Sequence, residues 1–142
     1  MTSSYNNSEI RFITVKDLPG KRAAIFHLIY QQFQENTPIL ITVPSEEAAQ
    51  YLDHLLWGYL PESFIPHSIE EQPCKSPVVI TTVMQNLNEA PVLLNLCRSA
   101  APISFPFTTI YELWDETDPG KKQLSEERYN SYHEQGYSKI FK

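Results

Sequence analysis

This chain is short of the residues that phosphate, metal and nucleic-acid chemistry depend on. Its four glycines include no G-x-G-x-x-G. The first strand-to-helix turn holds one of them, Gly20, followed by Lys21 and Arg22. A P-loop would need glycine where Val15 stands and Ser or Thr where Arg22 stands, so no backbone cradle for pyrophosphate, and no cofactor, is expected. Only two cysteines occur, Cys74 and Cys97, with no C-x-x-C pair and no histidine at ligand spacing; free thiols are expected and a metal site is not. No apolar run approaches the roughly 18 residues of a membrane span. Met1–Ser8 has neither a basic start nor an apolar stretch, so it reads as a polar arm rather than a secretory signal, and the cytoplasm is the expected location. Lys and Arg number 11 against 17 Asp and Glu, a net charge of −6. Phosphate backbones are bound by cations that displace counterions. A chain this electronegative, with no basic stripe, is expected to reach nucleic acid only indirectly, through another protein.

What is present is the pattern of a small α/β protein. The 142 residues suit a single domain, 1–142, with a real core. Glu9 to Val15 alternates as a strand; Ile25, Leu28, Ile29 and Phe33 give a helix that stops at Asn36-Thr37-Pro38. Ile39 to Val43 is continuously apolar and β-branched, as in a parallel strand covered on both faces. Ser45 caps a second helix with Glu46 and Glu47 in its first turn. Residues 58–77 have several prolines and no periodicity and read as a long loop. Further strands are expected over 77–82, 91–96 and 108–114, separated by a proline-broken connection over 101–107. Asp118-Pro119 opens a last helix that ends near Gly136, and 137–142 reads as a loose tail. Strand–helix alternation followed by strands and a closing helix predicts a three-layer α/β fold. It is a mostly parallel sheet flanked by helices, Rossmann-like but without nucleotide-binding motifs.

The stretch Leu55-Leu56-Trp57-Gly58-Tyr59-Leu60-Pro61-Glu62-Ser63-Phe64-Ile65-Pro66-His67 carries the most information. At about 100° per residue, Ala48, Ala49, Leu52, Leu55, Leu56 and Tyr59 share the core face of the second helix, and Trp57 falls nearly opposite. Two readings stand: Trp57 and Phe64 form an outward docking hot spot, or Trp57 covers the core edge and Phe64 packs under its loop. His67 could serve acid–base chemistry, but no nucleophile or acid is marked beside it, so a hydrogen bond that holds the loop is the plainer role.

This run resembles the chi subunit of bacterial DNA polymerase III. A Leu-Trp pair ends that family's second helix, and a Ser-Phe-hydrophobic-Pro-His run follows at this spacing. Lys122, the pair Arg128-Tyr129, Tyr132 and the Gly136 stop match the family's last helix, so the resemblance covers nearly the whole chain. It implies a non-catalytic accessory subunit of the replicative polymerase holoenzyme. That subunit bridges the acidic C-terminal tail of single-stranded DNA-binding protein to the clamp loader. It implies two surfaces. Trp57, Pro61, Phe64 and Ile65 would meet psi or another clamp-loader-associated protein. Lys122, Arg128 and Tyr129 would meet the tail, whose terminal Phe and free carboxylate need a pocket and a cation. On the last helix Lys122, Glu126, Tyr129 and His133 share one face, and Leu124, Arg128 and Tyr132 another. One position departs: Glu126 stands where the resemblance calls for arginine. The alternatives are a small nucleotide-dependent or hydrolytic enzyme using His67, and a generic interaction domain with changed partners.

Overall fold

The computed structural model describes residues 7–102 and 107–142. Seven strands and three α-helices follow in the order β1 (Glu9–Val15), α1 (Leu18–Gln34), β2 (Ile39–Thr42), α2 (Glu46–Gly58), β3 (Ser68–Ile69), β4 (Val78–Thr81), β5 (Val92–Asn95), β6 (Thr109–Asp115), α3 (Pro119–Glu134) and β7 (Lys139–Phe141). All pairings are parallel, in the order β3-β4-β2-β5-β6-β1-β7.

Burial explains the central strands. Every residue of β2, β4 and β5 is buried, which accounts for the apolar runs Ile39–Ile41, Val78–Ile80 and Val92–Leu94; each strand then ends in a buried polar residue, Thr42, Thr81 or Asn95. On one face, Ile39, Ile41, Val78, Ile80, Val92 and Leu94 pack with Phe26 and Ile29 of α1 and with Leu52 and Leu56 of α2. On the other, Ile10, Phe12, Leu40, Val79, Leu93 and Ile110 pack with Tyr132 of α3 and with Leu87, Ala90 and Ala101 from loops. The expected three layers are therefore present, with α1 and α2 on one side and α3 on the other.

Each helix begins on a side-chain cap: Asp17, Ser45 and Asp118 accept from the backbone amides of Gly20, Ala48 and Lys121. Asn36 (φ 57°) follows the end of α1 in the left-handed region. Gly136 (φ 93°) ends α3, where the amide of Tyr137 returns to the Tyr132 carbonyl.

Two expectations need correction. Residues 137–142 are not a loose tail: Tyr137 is buried, and Lys139–Phe141 pairs with Glu9–Arg11 as an edge strand. Three-residue strands carry too little periodicity to be read from sequence. The stretch 58–77 is not all loop either, since it contains a 3₁₀ turn at Pro61–Ser63 and the two-residue strand β3. Of the polar arm, Met1–Asn6 lies outside the described residues, as do positions 103–106 of the proline-broken connection. Ser8, by contrast, is buried and its hydroxyl donates to the Phe107 carbonyl.

Candidate functional site

The first candidate surface grows from the end of α2. Leu52, Leu55 and Leu56 face the core, so the helical period sends Trp57 outward, where it is 59 % exposed. The chain then turns through Pro61–Ser63, and Phe64 adopts a left-handed backbone (φ 49°) that points its ring into solvent, 74 % exposed. A non-glycine residue holds such a backbone only where its neighbours fix it. Here Ile65 does so from below, at 2 % exposure within the α1–α2 core. Ile65, expected among the contact residues, is thus an internal anchor: the left-handed turn at Phe64 leaves its ring outside while Ile65 enters the core.

His67 completes the brace. Its Nδ1 lies 2.8 Å from the Ile65 carbonyl oxygen and its Nε2 lies 2.8 Å from Asp53 Oδ1 on α2. Its ring sits beneath Trp57, with centroids 5.1 Å apart. The His67 side chain is 1 % exposed, and both of its ring nitrogens are engaged within the protein. Pro61 and Tyr59 are exposed beside the two aromatics; Tyr59, expected on the core face, stacks at the rim on Phe26 with centroids 4.7 Å apart.

The second candidate surface lies on α3, across the sheet. Lys122 and Glu126 are exposed, and Tyr129 is half-buried. Tyr129 packs edge-on against Phe12, Trp114 and His133, with centroids 5.5, 6.0 and 4.8 Å apart. Sequence reasoning missed a residue here. Because β7 is a strand, it carries Lys142 Nζ to 3.7 Å from the centroid of the Trp114 ring. That places a cation beside the Tyr129 aromatic cluster, where Glu126 offers only negative charge. No local signal marks Lys142, since its position follows from a pairing between the two ends of the chain.

Arg128 does not join Lys122 and Tyr129. It is buried, and its guanidinium is fully engaged. Nε donates to Glu112 Oε1 at 2.9 Å, Nη2 to the Leu113 carbonyl at 2.9 Å and to Ser125 Oγ at 3.1 Å, and Nη1 to the Arg98 carbonyl at 3.2 Å. As a candidate ligand cation it is corrected to a clamp between α3 and the sheet. Glu112 is completely buried. It also accepts from Asn95 Nδ2 at 2.7 Å and from the Tyr132 hydroxyl, and Asn95 Oδ1 accepts from Thr42. Burial pushes the Glu112 carboxyl up to about 7, against the opposing pull of Arg128, Tyr132 and Asn95. Burial and the Glu112 charge raise the Tyr132 hydroxyl well above its ordinary value. This network ties β2, β5 and β6 to α3, with Glu112 and Tyr132 completely buried at its centre.

Among the described residues, no three His, Cys, Asp or Glu side chains lie close enough to hold a metal ion, and no helix is long and apolar enough to cross a membrane. Cys74 and Cys97 are free thiols.

The DNA polymerase III subunit chi of Pseudomonas aeruginosa is 28 % identical over 110 residues, 78 % of this chain and 77 % of that one. The Escherichia coli subunit chi is 27 % identical over 128 residues, covering 88 % and 86 % of the two chains. That of Haemophilus influenzae is 30 % identical over 103 residues, covering 70 % and 71 %. Residues 8–139, nearly the whole described fold with its exposed Trp57 and Phe64, match the family described as DNA polymerase III chi subunit, HolC, and the chain belongs to that family.

Proposed function

We propose that this chain is a non-catalytic bridge within the DNA polymerase III assembly. In this reading Trp57, Pro61 and Phe64 dock a clamp-loader-associated protein, psi or a substitute for it. Lys122, Tyr129 and Lys142 receive the acidic C-terminal tail of single-stranded DNA-binding protein. The observation that carries the reading is the placement of two candidate surfaces on opposite sides of one sheet, the exposed Trp57 and Phe64 over the α1–α2 core and the half-buried Tyr129 with the exposed Lys122 and Lys142 over the α3 core. A body with two such surfaces can hold two partners at once without their colliding. Tethering one raises the effective concentration of the other to the millimolar range for a short flexible linker, about what weak single contacts need.

The aromatic anchors supply affinity at little ordering cost, because Trp57 and Phe64 are already held outward by the His67–Asp53–Ile65 brace. On the second surface Lys142 supplies the cation that Glu126 withholds, and the partly exposed ring of Tyr129 offers an apolar seat for a terminal Phe.

The test is fluorescence anisotropy with the last ten or so residues of the cognate single-stranded DNA-binding protein, alongside a peptide lacking the terminal Phe. Saturable binding that needs the Phe, weakens with salt and is unaffected by Trp57→Ala is expected. Loss of tail binding in Trp57→Ala, with the fold intact, would refute two separate surfaces.

A further inference from the structure

Neither proposed surface uses a wide crevice among the described residues. A crevice of about 880 Å³ opens over the carboxyl ends of β2, β5 and β6. It lies where the chain leaves β2 toward α2 on one face of the sheet and leaves β5 toward the other, the place in an open parallel sheet where a cleft forms between diverging connections. Its volume falls within the roughly 300–1,000 Å³ of small-molecule sites.

The chemistry of the lining is two-sided. Leu52 and Leu55 of α2, Leu96 after β5 and Leu124 of α3 make an apolar floor, with the half-exposed Tyr51 as one wall. Four cations line it, Lys21, Arg98, Lys121 and Arg128, against three carboxylates, Asp115, Asp118 and Glu127. With Arg128 paired to the buried Glu112, the lining is close to neutral in a chain that carries −6 as a whole. Pairing sharpens the contrast. Lys21 Nζ is bound to Asp115 Oδ2 at 2.7 Å, Arg128 to Glu112, and Asp118 to the amide of Lys121. Among the described residues the side chains of Arg98 and Lys121 have no hydrogen bond or ion pair, and both are exposed at the rim. Glu127 is the one unengaged carboxylate facing them. The three helix N-termini are already capped by Asp17, Ser45 and Asp118, so the lysine and arginine, rather than backbone amides, are the free anion donors.

We infer that this crevice binds a small amphipathic organic anion, its apolar body on Leu52, Leu55, Leu96 and Leu124 and its anionic group between Arg98 and Lys121. The site is independent of the bridging role, because it shares no residue with Trp57 and Phe64 or with Lys122, Tyr129 and Lys142.

The experiment is a fluorescence titration of the whole chain with 8-anilinonaphthalene-1-sulfonate at native pH. One saturable site is expected, weakened by salt, unchanged in the double variant Trp57→Ala/Phe64→Ala, and weakened by Arg98→Ala and by Lys121→Ala by roughly tenfold each, the lower end of the worth of a charge-assisted hydrogen bond. Circular dichroism of these exposed-residue variants checks that the fold is kept. Competition with decanoate and with adenosine monophosphate then separates an aliphatic carboxylate from a nucleotide as the natural class. Absence of saturable binding overturns the assignment. So does binding indifferent to both cations, binding lost in the Trp57/Phe64 variant, or failure of both competitors to displace the probe.

Discussion

The buried Glu112–Arg128 pair gives the sharpest test of how this fold is held. Arg128→Ala removes the Nε bond to Glu112 and the bonds to the Leu113 and Arg98 carbonyls, leaving a fully buried carboxylate with Asn95 and Tyr132 as its remaining partners. Stranding one member of a buried ion pair costs about 3–5 kcal/mol, a large share of the roughly 5–15 kcal/mol that holds a domain of this kind together. The loss should depend on pH, with a definite sign. In the intact protein Glu112 titrates at about 7 instead of 4.5. Between those values the folded state keeps a proton that the unfolded chain has released. Stability is therefore highest below pH 4.5 on this account, falls by about 3 kcal/mol as pH rises through the window, and levels off above 7. Without the Arg128 cation the carboxyl rises further, and the fall continues above pH 7. The gap between intact and variant protein should thus be widest at pH 8 to 9. Toward pH 5 it should shrink to about 1–2 kcal/mol, the remaining worth of the lost carbonyl bonds. Urea denaturation at pH 5 and pH 8.5 measures it, and a variant unfolded at the higher pH should refold at the lower. A gap below about 1 kcal/mol at pH 8.5, or one equal at both, would refute the assignment of Arg128 to the core.

The other expectations concern the two surfaces. Trp57→Ala should weaken the clamp-loader-side partner by about 2 kcal/mol or more, roughly thirtyfold in Kd, while a thermal melt of the free chain barely moves; titration calorimetry with the partner reads the first. Ile65→Ala should instead destabilise the chain by about 2–5 kcal/mol through a core cavity, seen in urea unfolding before any binding is measured. His67→Ala should loosen the Phe64 turn without opening the core, read as faster amide exchange over residues 60–67 and a weaker partner contact. Lys142→Glu should abolish tail-peptide binding in anisotropy, whereas Glu126→Arg should strengthen it. Equal, small effects of both changes would place the tail elsewhere.

The sequence carried the layers better than the edges. Unbroken apolar runs at Ile39–Ile41 and Val78–Ile80 and cap residues at Ser45 and Asp118 are local signals, and the structure keeps each of them in register. Trp57 was legible for the same reason, because helical phase alone turns it away from Leu52 and Leu56. What local reading missed depends on pairing between distant segments. Lys139–Phe141 becomes a strand only because Glu9–Arg11 offers it an edge, and that pairing brings Lys142 over Trp114. Arg128 reads as a free helix cation until Glu112, sixteen residues earlier and on the sheet, lies beneath it. Neither partner announces itself in a window of one turn. The consequence reaches function. If the tail surface were built from the α3 positions alone, Lys122 and Tyr129 with Glu126 between them, it would have a single cation and a repelling carboxylate. Closing the sheet with β7 adds Lys142 to that face, while Glu112 on β6 draws Arg128 away from it. On the proposed function the second surface depends on the C-terminal strand, and truncating residues 139–142 should weaken tail binding as strongly as Lys122→Ala does. Leaving the last helix untouched while losing the peptide would show that the strand, not the helix, completes the site.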